Sequence, residues 1–257
     1  MSDAKLVKMK NKKIRFNLIE NAKDSLAHAV EHLTGTEGPT AGDFKRVILD
    51  VAHVVELILK ERVRRIHPAF IWENVDKYPS SAAQTIGTDK AVSRLLNLEG
   101  IALPDDSKET LSACRKIRNS IEHFEFEIEP KETRAIVGRM LSFIFNFARS
   151  HLELDLETDF RGDGRWSALI DIYEFWEAHS KTLEEQLSKE GKPVCDCPSC
   201  AATTFDLSLM TCALCGHKED QVECDLCHEM VWESEAEIFE IPKGFTICQR
   251  CIERRAD

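Results

Sequence analysis

Four C-x-x-C pairs stand in the last quarter of the chain: Cys197/Cys200, Cys212/Cys215, Cys224/Cys227 and Cys248/Cys251. Two residues between cysteines let both thiolates turn toward one ion. Two such knuckles complete a tetrahedral four-thiolate zinc site. Sequential pairing gives two zinc ribbons, and a cross-braced pairing of first with third and second with fourth satisfies the same spacing. Cys195, His217 and His228 are left over as substitute ligands. Gly216, directly after Cys215, supplies the positive φ that tight knuckles need. A closed four-thiolate site has no open coordination position, so both zinc ions are expected to be structural, with none needed for catalysis.

The second chemical grouping lies in "CRKIRNSIEHFEF", residues 114–126, which brings Arg118, Asn119 and His123 close in sequence. Cleaving RNA without a metal requires removal of the 2′-OH proton, stabilisation of charge on a five-coordinate phosphate, and protonation of the leaving oxygen. His123 has the right kind of pKa for the proton transfers. Arg118 offers a fixed cation with paired donors for phosphoryl oxygens, and Asn119 can hold a backbone group or phosphate in place. Arginine and histidine separated by four to six residues also occur as Arg62–His67 and Arg46–His53, but only Arg118 is followed directly by asparagine. On an ideal helix Arg118 and His123 lie about 140° apart. They share a face only if the helix ends or distorts at His123, or if a two-fold dimer brings two copies of each into one cleft. A structural reading fits the same spacing: Arg118 pairs with Glu122 at i,i+4, and His123 complements a helix C-terminus.

The elements that must carry these residues read as amphipathic helices. Leu18, Ala22, Leu26, Val30 and Leu33 recur at the three-to-four spacing of one buried face. Asp43 stands where it can cap a second helix, through Phe44, Val47, Ile48, Val51, Val55 and Ile58 to Arg65, closed by Pro68. A short helix from Thr88 is ended by Gly100. Leu111, Cys114, Ile117 and Ile121 give the helix of the trio, and Ile136, Met140, Phe143, Ile144 and Phe147 another. One continuous last helix, "RWSALIDIYEFWEAHSKTLEEQLSKEG", is expected to carry Trp166, Leu169, Ile170, Tyr173 and Trp176. Short loops between long amphipathic helices favour an antiparallel bundle. The segments "TTFDLSLM" and "MVWESEAEIFEIPKGFTI" are expected as small hairpins in the tail. The organisation is therefore a basic segment at 1–15, a helical bundle at 16–156, an additional helix and linker at 157–192, and zinc ribbons at 193–220 and 221–257.

Composition sets the outer bounds. The 257 residues are 43% hydrophobic and 31% charged, as in a soluble globular protein. No apolar run is long enough to span a membrane, and "MSDAKLVKMKNKKIRF" has no apolar core of a secretory signal, so a cytoplasmic protein is expected. Nine of the ten cysteines follow residue 194, a metal pattern and not a disulfide framework. The net charge of −11 is concentrated in the tail, where residues 193–257 hold 13 acidic against 5 basic side chains. Such a surface repels a nucleic-acid backbone and reads as a protein-binding module, with Trp232 as an exposed aromatic contact. In the bundle, "KERVRRIH" (Lys60 to His67) is placed either to contact RNA phosphates or to complement a helix C-terminus.

The bundle with "RNSIEH" resembles the HEPN superfamily, the higher-eukaryote and prokaryote nucleotide-binding domain. Its ribonuclease members carry Arg-x4–6-His, most often with a polar residue after the arginine. "VILDVAHVVELILKERVRRIHPAFIW" looks like the long helix of many such prokaryotic proteins, in which a glutamate precedes a lysine as Glu56 precedes Lys60. The resemblance covers about residues 16–155. It implies an all-α bundle that forms a homodimer with a composite, metal-independent endoribonuclease site acting on RNA, in a toxin or antiviral defence effector. Arg118 and His123 would be catalytic, with Asn119 and Glu56 supporting them; Glu56 and Lys60 also have the spacing of a helical ion pair. One toxin subgroup has a tyrosine two residues after the histidine that a partner nucleotidyltransferase modifies. Glu125 stands there, so that control is not expected. Other members bind without cleaving, and the resemblance equally allows a dimeric adaptor whose ribbons bind a protein.

Overall fold

The computed structural model describes residues 15–35, 38–80, 82–127, 129–239 and 244–256; the basic segment before Arg15 lies outside them. The chain forms two compact units, Met1–Ala178 and His179–Asp257. Among the described residues the first is helical throughout, while the second joins the end of a helix to small antiparallel sheets.

Helix α1 (Leu18–Leu33) starts in a capping box: the Asn17 side chain accepts from the Glu20 amide, and Glu20 accepts in return from the Asn17 amide. It buries Ala22, Leu26, Ala29, Val30 and Leu33. Helix α2 (Ala41–Ile66) is the central element, and its length follows from a long apolar face beginning at Phe44 and Val47. Thr40, not Asp43, is its N-cap. Asp43 is the reciprocal partner three residues on, because the Thr40 hydroxyl is placed to accept from the Asp43 amide while the carboxylate accepts from Thr40. His28 faces Asp50 and His32 faces Asp43, so α1 and α2 run antiparallel.

Helix α3 (Thr88–Glu99) ends on Gly100 in the left-handed region (φ 68°). Helix α4 (Asp105–His123) carries the Arg–Asn–His trio, and α5 (Pro130–Leu152) packs against α2 and α4. Arg134 of α5 lies over the Phe44 ring, and Arg65 near the end of α2 donates to the Leu152 carbonyl, so α2 and α5 run the same way. Lys45 sits over Phe126, just beyond α4, which makes α4 antiparallel to α2. Helices α1, α2, α4 and α5 thus form an up-down bundle with α3 laid against α2.

After a short helix α6 (Thr158–Arg161), the expected single last helix is instead two pieces, α7 (Arg165–Ile170) and α8 (Tyr173–Lys189). The break at Asp171–Ile172 shifts the helical phase. Phe175 is fully buried, while Tyr173, predicted inside, is 62% exposed. Phe160, Trp166 and Phe175 all meet the Phe145 ring edge-on, with centroids 5.2–6.1 Å away. Gly138 makes the crossing of α5 and α8 close, for a Cβ there would lie 2.6 Å from the Glu174 carbonyl oxygen.

In the second unit β1 (Val194–Cys195), β2 (Phe205–Asp206) and β3 (Thr211–Cys212) form one antiparallel sheet in that order. β4 (Gln221–Glu223) pairs with β5 (Met230–Trp232), and β6 (Ala236–Phe239) with β7 (Phe245–Cys248), before a closing helix α9 (Gln249–Ala256). Trp232 is not an exposed contact. Its ring packs edge-on against the fully buried Phe205 at 4.7 Å, tying the two halves of the tail together.

Candidate functional sites: a charged cleft and two thiolate centres

Helix α4 buries Leu111, Cys114 and Ile121, which roots one face in the core. Arg118, one turn after Cys114, therefore emerges at the edge of that face toward α2. There it opens into a cleft of about 320 Å³. Ala52, Val55, Leu111, Cys114 and Met140 make the apolar floor, and Glu56, Glu73, Asp89, Lys90, Arg115, Arg118 and Asn119 the polar walls. Burial pushes the Cys114 thiol up to about 12, against the opposing pull of the Arg118 charge, so it lines the floor as a neutral group.

The cations of this cleft are paired. Lys90 meets Glu73 and Arg115 meets Asp89, both in short contacts. The Arg118 guanidinium lies 3.5 Å from Glu56 and 3.3 Å from Glu122. Glu56 in turn accepts from Lys60 at 2.6 Å, and Lys60, only 7% exposed, also donates to the Thr85 hydroxyl at 2.9 Å. Glu56 therefore makes the i,i+4 pair with Lys60 that its spacing allowed, and it also touches Arg118. Thr85 was not singled out from the sequence, and Lys60 only as a helical partner or surface cation. The burial of Lys60 on the inner face of α2 was readable in principle, because it falls in phase with Val63 and near Leu59.

Three pairs of opposite charge give the cleft no net pull on a phosphate. The Arg118 contacts are long and half-exposed, however, and such exposed pairs are worth about 0–1 kcal/mol. A phosphate dianion or diester can displace them at little cost.

His123 is not in this cleft. Helix α4 runs unbroken to His123, the Phe124 amide closes its last turn on the Ser120 carbonyl at 2.9 Å, and His123 is exposed. Arg118 and His123 keep the separation of a regular helix, about 140° and about 7.5 Å of rise. The helix does end at His123, but as its last helical residue His123 keeps the regular helical position and is not turned toward Arg118. Arg118, Asn119 and Glu56 are brought together within one chain, and His123 is not.

The arginines of the basic run after Lys60 all have carboxylate partners. Arg62 pairs with Glu99, Arg64 makes two bonds of 2.8 Å to the buried Glu61, and Arg65 shares Glu61 while donating to Leu152. The His67 ring accepts from the Ala69 amide. Three arginines against Glu61 and Glu99 leave one positive charge in excess near the C-terminal end of α2.

The tail resolves the choice of ligand pairing. Cys197, Cys200, Cys212 and Cys215 form one cluster and Cys224, Cys227, Cys248 and Cys251 the other, with the sulfurs of each within 4.8 Å of one another. Pairing is therefore sequential, not cross-braced. Cys197 and Cys215 are 3.7 Å apart, as are Cys200 and Cys212, and Cys227 and Cys248 are 3.8 Å apart. Tetrahedral zinc with bonds of about 2.3 Å requires about 3.8 Å between sulfurs. The fit to a zinc-type ion is direct.

Three knuckles share one backbone device. The amide after the second cysteine donates to the carbonyl of the first: Ala201 to Cys197, Gly216 to Cys212 and His228 to Cys224. All three residues have positive φ, 59°, 77° and 58°, so the conformation expected of Gly216 is also imposed on two residues with side chains. The spare ligands stay out of the clusters. His217 bonds Glu219 at 2.8 Å, His228 bonds Glu223 at 2.9 Å, and Cys195 lies in β1.

No family model, curated protein or solved structure matches the chain. No helix among the described residues is long and apolar enough to cross a membrane.

Proposed function

We propose that the protein is a metal-independent endoribonuclease of the HEPN type, working as a homodimer whose site takes Arg118 and Asn119 from one chain and His123 from its partner. The observation that carries this reading is the division of the trio. Arg118 and Asn119 wall a cleft large enough for a nucleotide, and His123 stands exposed on another face of the same helix. In a two-fold pair of α4 helices each His123 serves the other chain's cleft. Arg118 then binds the non-bridging phosphoryl oxygens as Glu56 and Glu122 release it. Asn119 positions the nucleotide, and His123 carries the proton between the 2′-OH and the leaving 5′-oxygen. Glu56, fixed by Lys60, sets the guanidinium's resting position. A role as toxin or antiviral effector follows from the HEPN resemblance, and a cytoplasmic site of action from the need to meet RNA.

The two zinc ribbons act as a structural and recognition module whose acidic surface takes a protein partner. Met230, Ile238 and Phe239 are exposed there, 42–56% by area, and supply apolar contacts among the glutamates.

The test is cleavage of transfer RNA and total cellular RNA by the purified chain, with Arg118→Ala and His123→Ala alongside. Cleavage that survives brief chelation and falls by at least about 100-fold in both variants supports the reading. A second reading, a non-catalytic dimeric adaptor, is favoured by one observation: every cation of the cleft rests on a carboxylate. Wild-type protein that binds but never cleaves RNA would establish the adaptor instead.

A further inference from the structure

A cluster unconnected with the cleft sits on the opposite partner of α2. His28 and His32, one turn apart on α1, face each other through their Nε2 atoms at 3.0 Å, with ring planes at 89°. Each ring is held from behind. His28 Nδ1 lies 2.6 Å from Asp50 and His32 Nδ1 2.9 Å from Asp43, both carboxylates projecting from α2.

The partners fix the tautomers. Asp43 already accepts from the Thr40 amide and hydroxyl. An ionised carboxylate only accepts, so the Nδ1 atoms are the donors. With both rings neutral, each then presents an unprotonated Nε2, and the two nitrogens are 3.0 Å apart. Two unprotonated nitrogens at that distance repel one another unless they share a cation, which is either a proton or a metal ion.

We propose that His28 and His32 form a binding site for a divalent transition-metal ion of the class that prefers imidazole, such as zinc, nickel or copper, distinct from the two thiolate centres. The ion binds the Nε2 atoms, while Asp50 and Asp43 orient the rings and raise their basicity through Nδ1–H, the usual outer support of a metal-bound histidine. Tetrahedral coordination with metal–nitrogen bonds of about 2.0–2.1 Å needs about 3.3–3.4 Å between the nitrogens. The rings therefore open by a few tenths of an ångström. Water completes the coordination, for which there is room: His28 borders an open groove that also holds Asp24, Glu31 and Asp50. Those carboxylates favour a divalent cation over an anion. Among the described residues, the cation beside the pair's supports is Arg46, 3.6 Å from Asp43, and it is largely exposed.

The test uses the full, untagged, zinc-loaded chain, so that the thiolate centres are already filled. Nickel(II) is titrated in by calorimetry, with His28→Ala, His32→Ala and Asp50→Asn as variants and circular dichroism confirming that each is folded. The expected result is one nickel ion per chain, lost in both alanine variants. Asp50→Asn keeps both ligands and weakens binding about 10–100-fold, as loss of an outer partner does. Nickel binding that is undetectable in the wild type, or unchanged in His28→Ala and His32→Ala, overturns the proposal. The first of these outcomes would leave a shared proton between the two rings.

Discussion

Arg118 is held by two carboxylates at 3.3 and 3.5 Å, neither of them a tight contact, and the chemistry assigned to it depends on that looseness. Its support is tighter. Lys60 is nearly buried and gives one bond to Glu56 and one to Thr85. Lys60→Met removes both charge-assisted bonds and leaves Glu56 with Arg118 alone. Urea unfolding should show a loss of about 1–3 kcal/mol, and any RNA cleavage should fall with kcat more than with KM. Cys114 offers a cleaner residue test. Its thiol is buried and pushed up to about 12, so in the native protein at pH 8 it should resist alkylation, reacting only after unfolding. The same shift has a sign in stability. The folded thiol holds its proton where an unfolded one, near 8.5, does not, so this contribution is full below pH 8 and is lost as pH rises toward 12.

Among these residues, identity and spacing were legible and companionship was not. The i,i+4 offset announced the Glu56–Lys60 pair. Nothing local announced that Arg118 from a helix 62 positions away by numbering would meet the same carboxylate. The separation of His123 from Arg118 was legible, since it follows from helix geometry alone.

At the scale of elements, the close crossing of α5 and α8 is the sharpest constraint. A Cβ on Gly138 would meet the backbone of Glu174 and Phe175 at 2.6–2.9 Å, and backbone cannot swing aside as a side chain can. Gly138→Ala gains helix propensity worth about 1 kcal/mol but forces the helices apart, and overpacking typically costs about 1–3 kcal/mol. The net expectation is a lower melting temperature, against the rise that propensity alone predicts. Periodicity gave α1, α2, α4 and α5 close to their observed bounds because each has one long apolar face. It failed at residues 165–189. There two apolar stripes of different phase adjoin at Asp171–Ile172, and a reading by spacing joins them into one helix with Tyr173 inside. The bundle's large aromatic cluster decided otherwise by taking Phe175. The N-cap of α2 was misplaced by three residues because Thr40 and Asp43 are reciprocal partners, and either one satisfies a search for a capping residue.

At the scale of the whole molecule, two units with different sources of stability share the chain. The helical unit rests on an extensive apolar core, whereas the buried residues around the second ribbon are largely its own cysteines and Val231. Cys248→Ser should reduce zinc content from two ions per chain to one, read by atomic emission, while the first ribbon keeps its ion. Prolonged chelation should abolish dispersed β resonances from the tail and leave most helical circular dichroism in place, since structural zinc supplies folding free energy to the modules that bind it. The tail's metal chemistry was the most legible part of the sequence, because four C-x-x-C pairs state both ligand and number. The order of pairing needed three dimensions.

A site shared between two chains is tested by complementation. Arg118→Ala and His123→Ala chains, each expected to be inactive alone, are mixed one to one, allowed to exchange, and assayed on RNA beside wild type. Half of the pairs are then mixed, and each mixed pair has one site with both Arg118 and His123, one from each chain. Activity should return to about one quarter of wild type. A mixture as inactive as its two components, beside an active wild type that sediments as a dimer, would contradict the shared site.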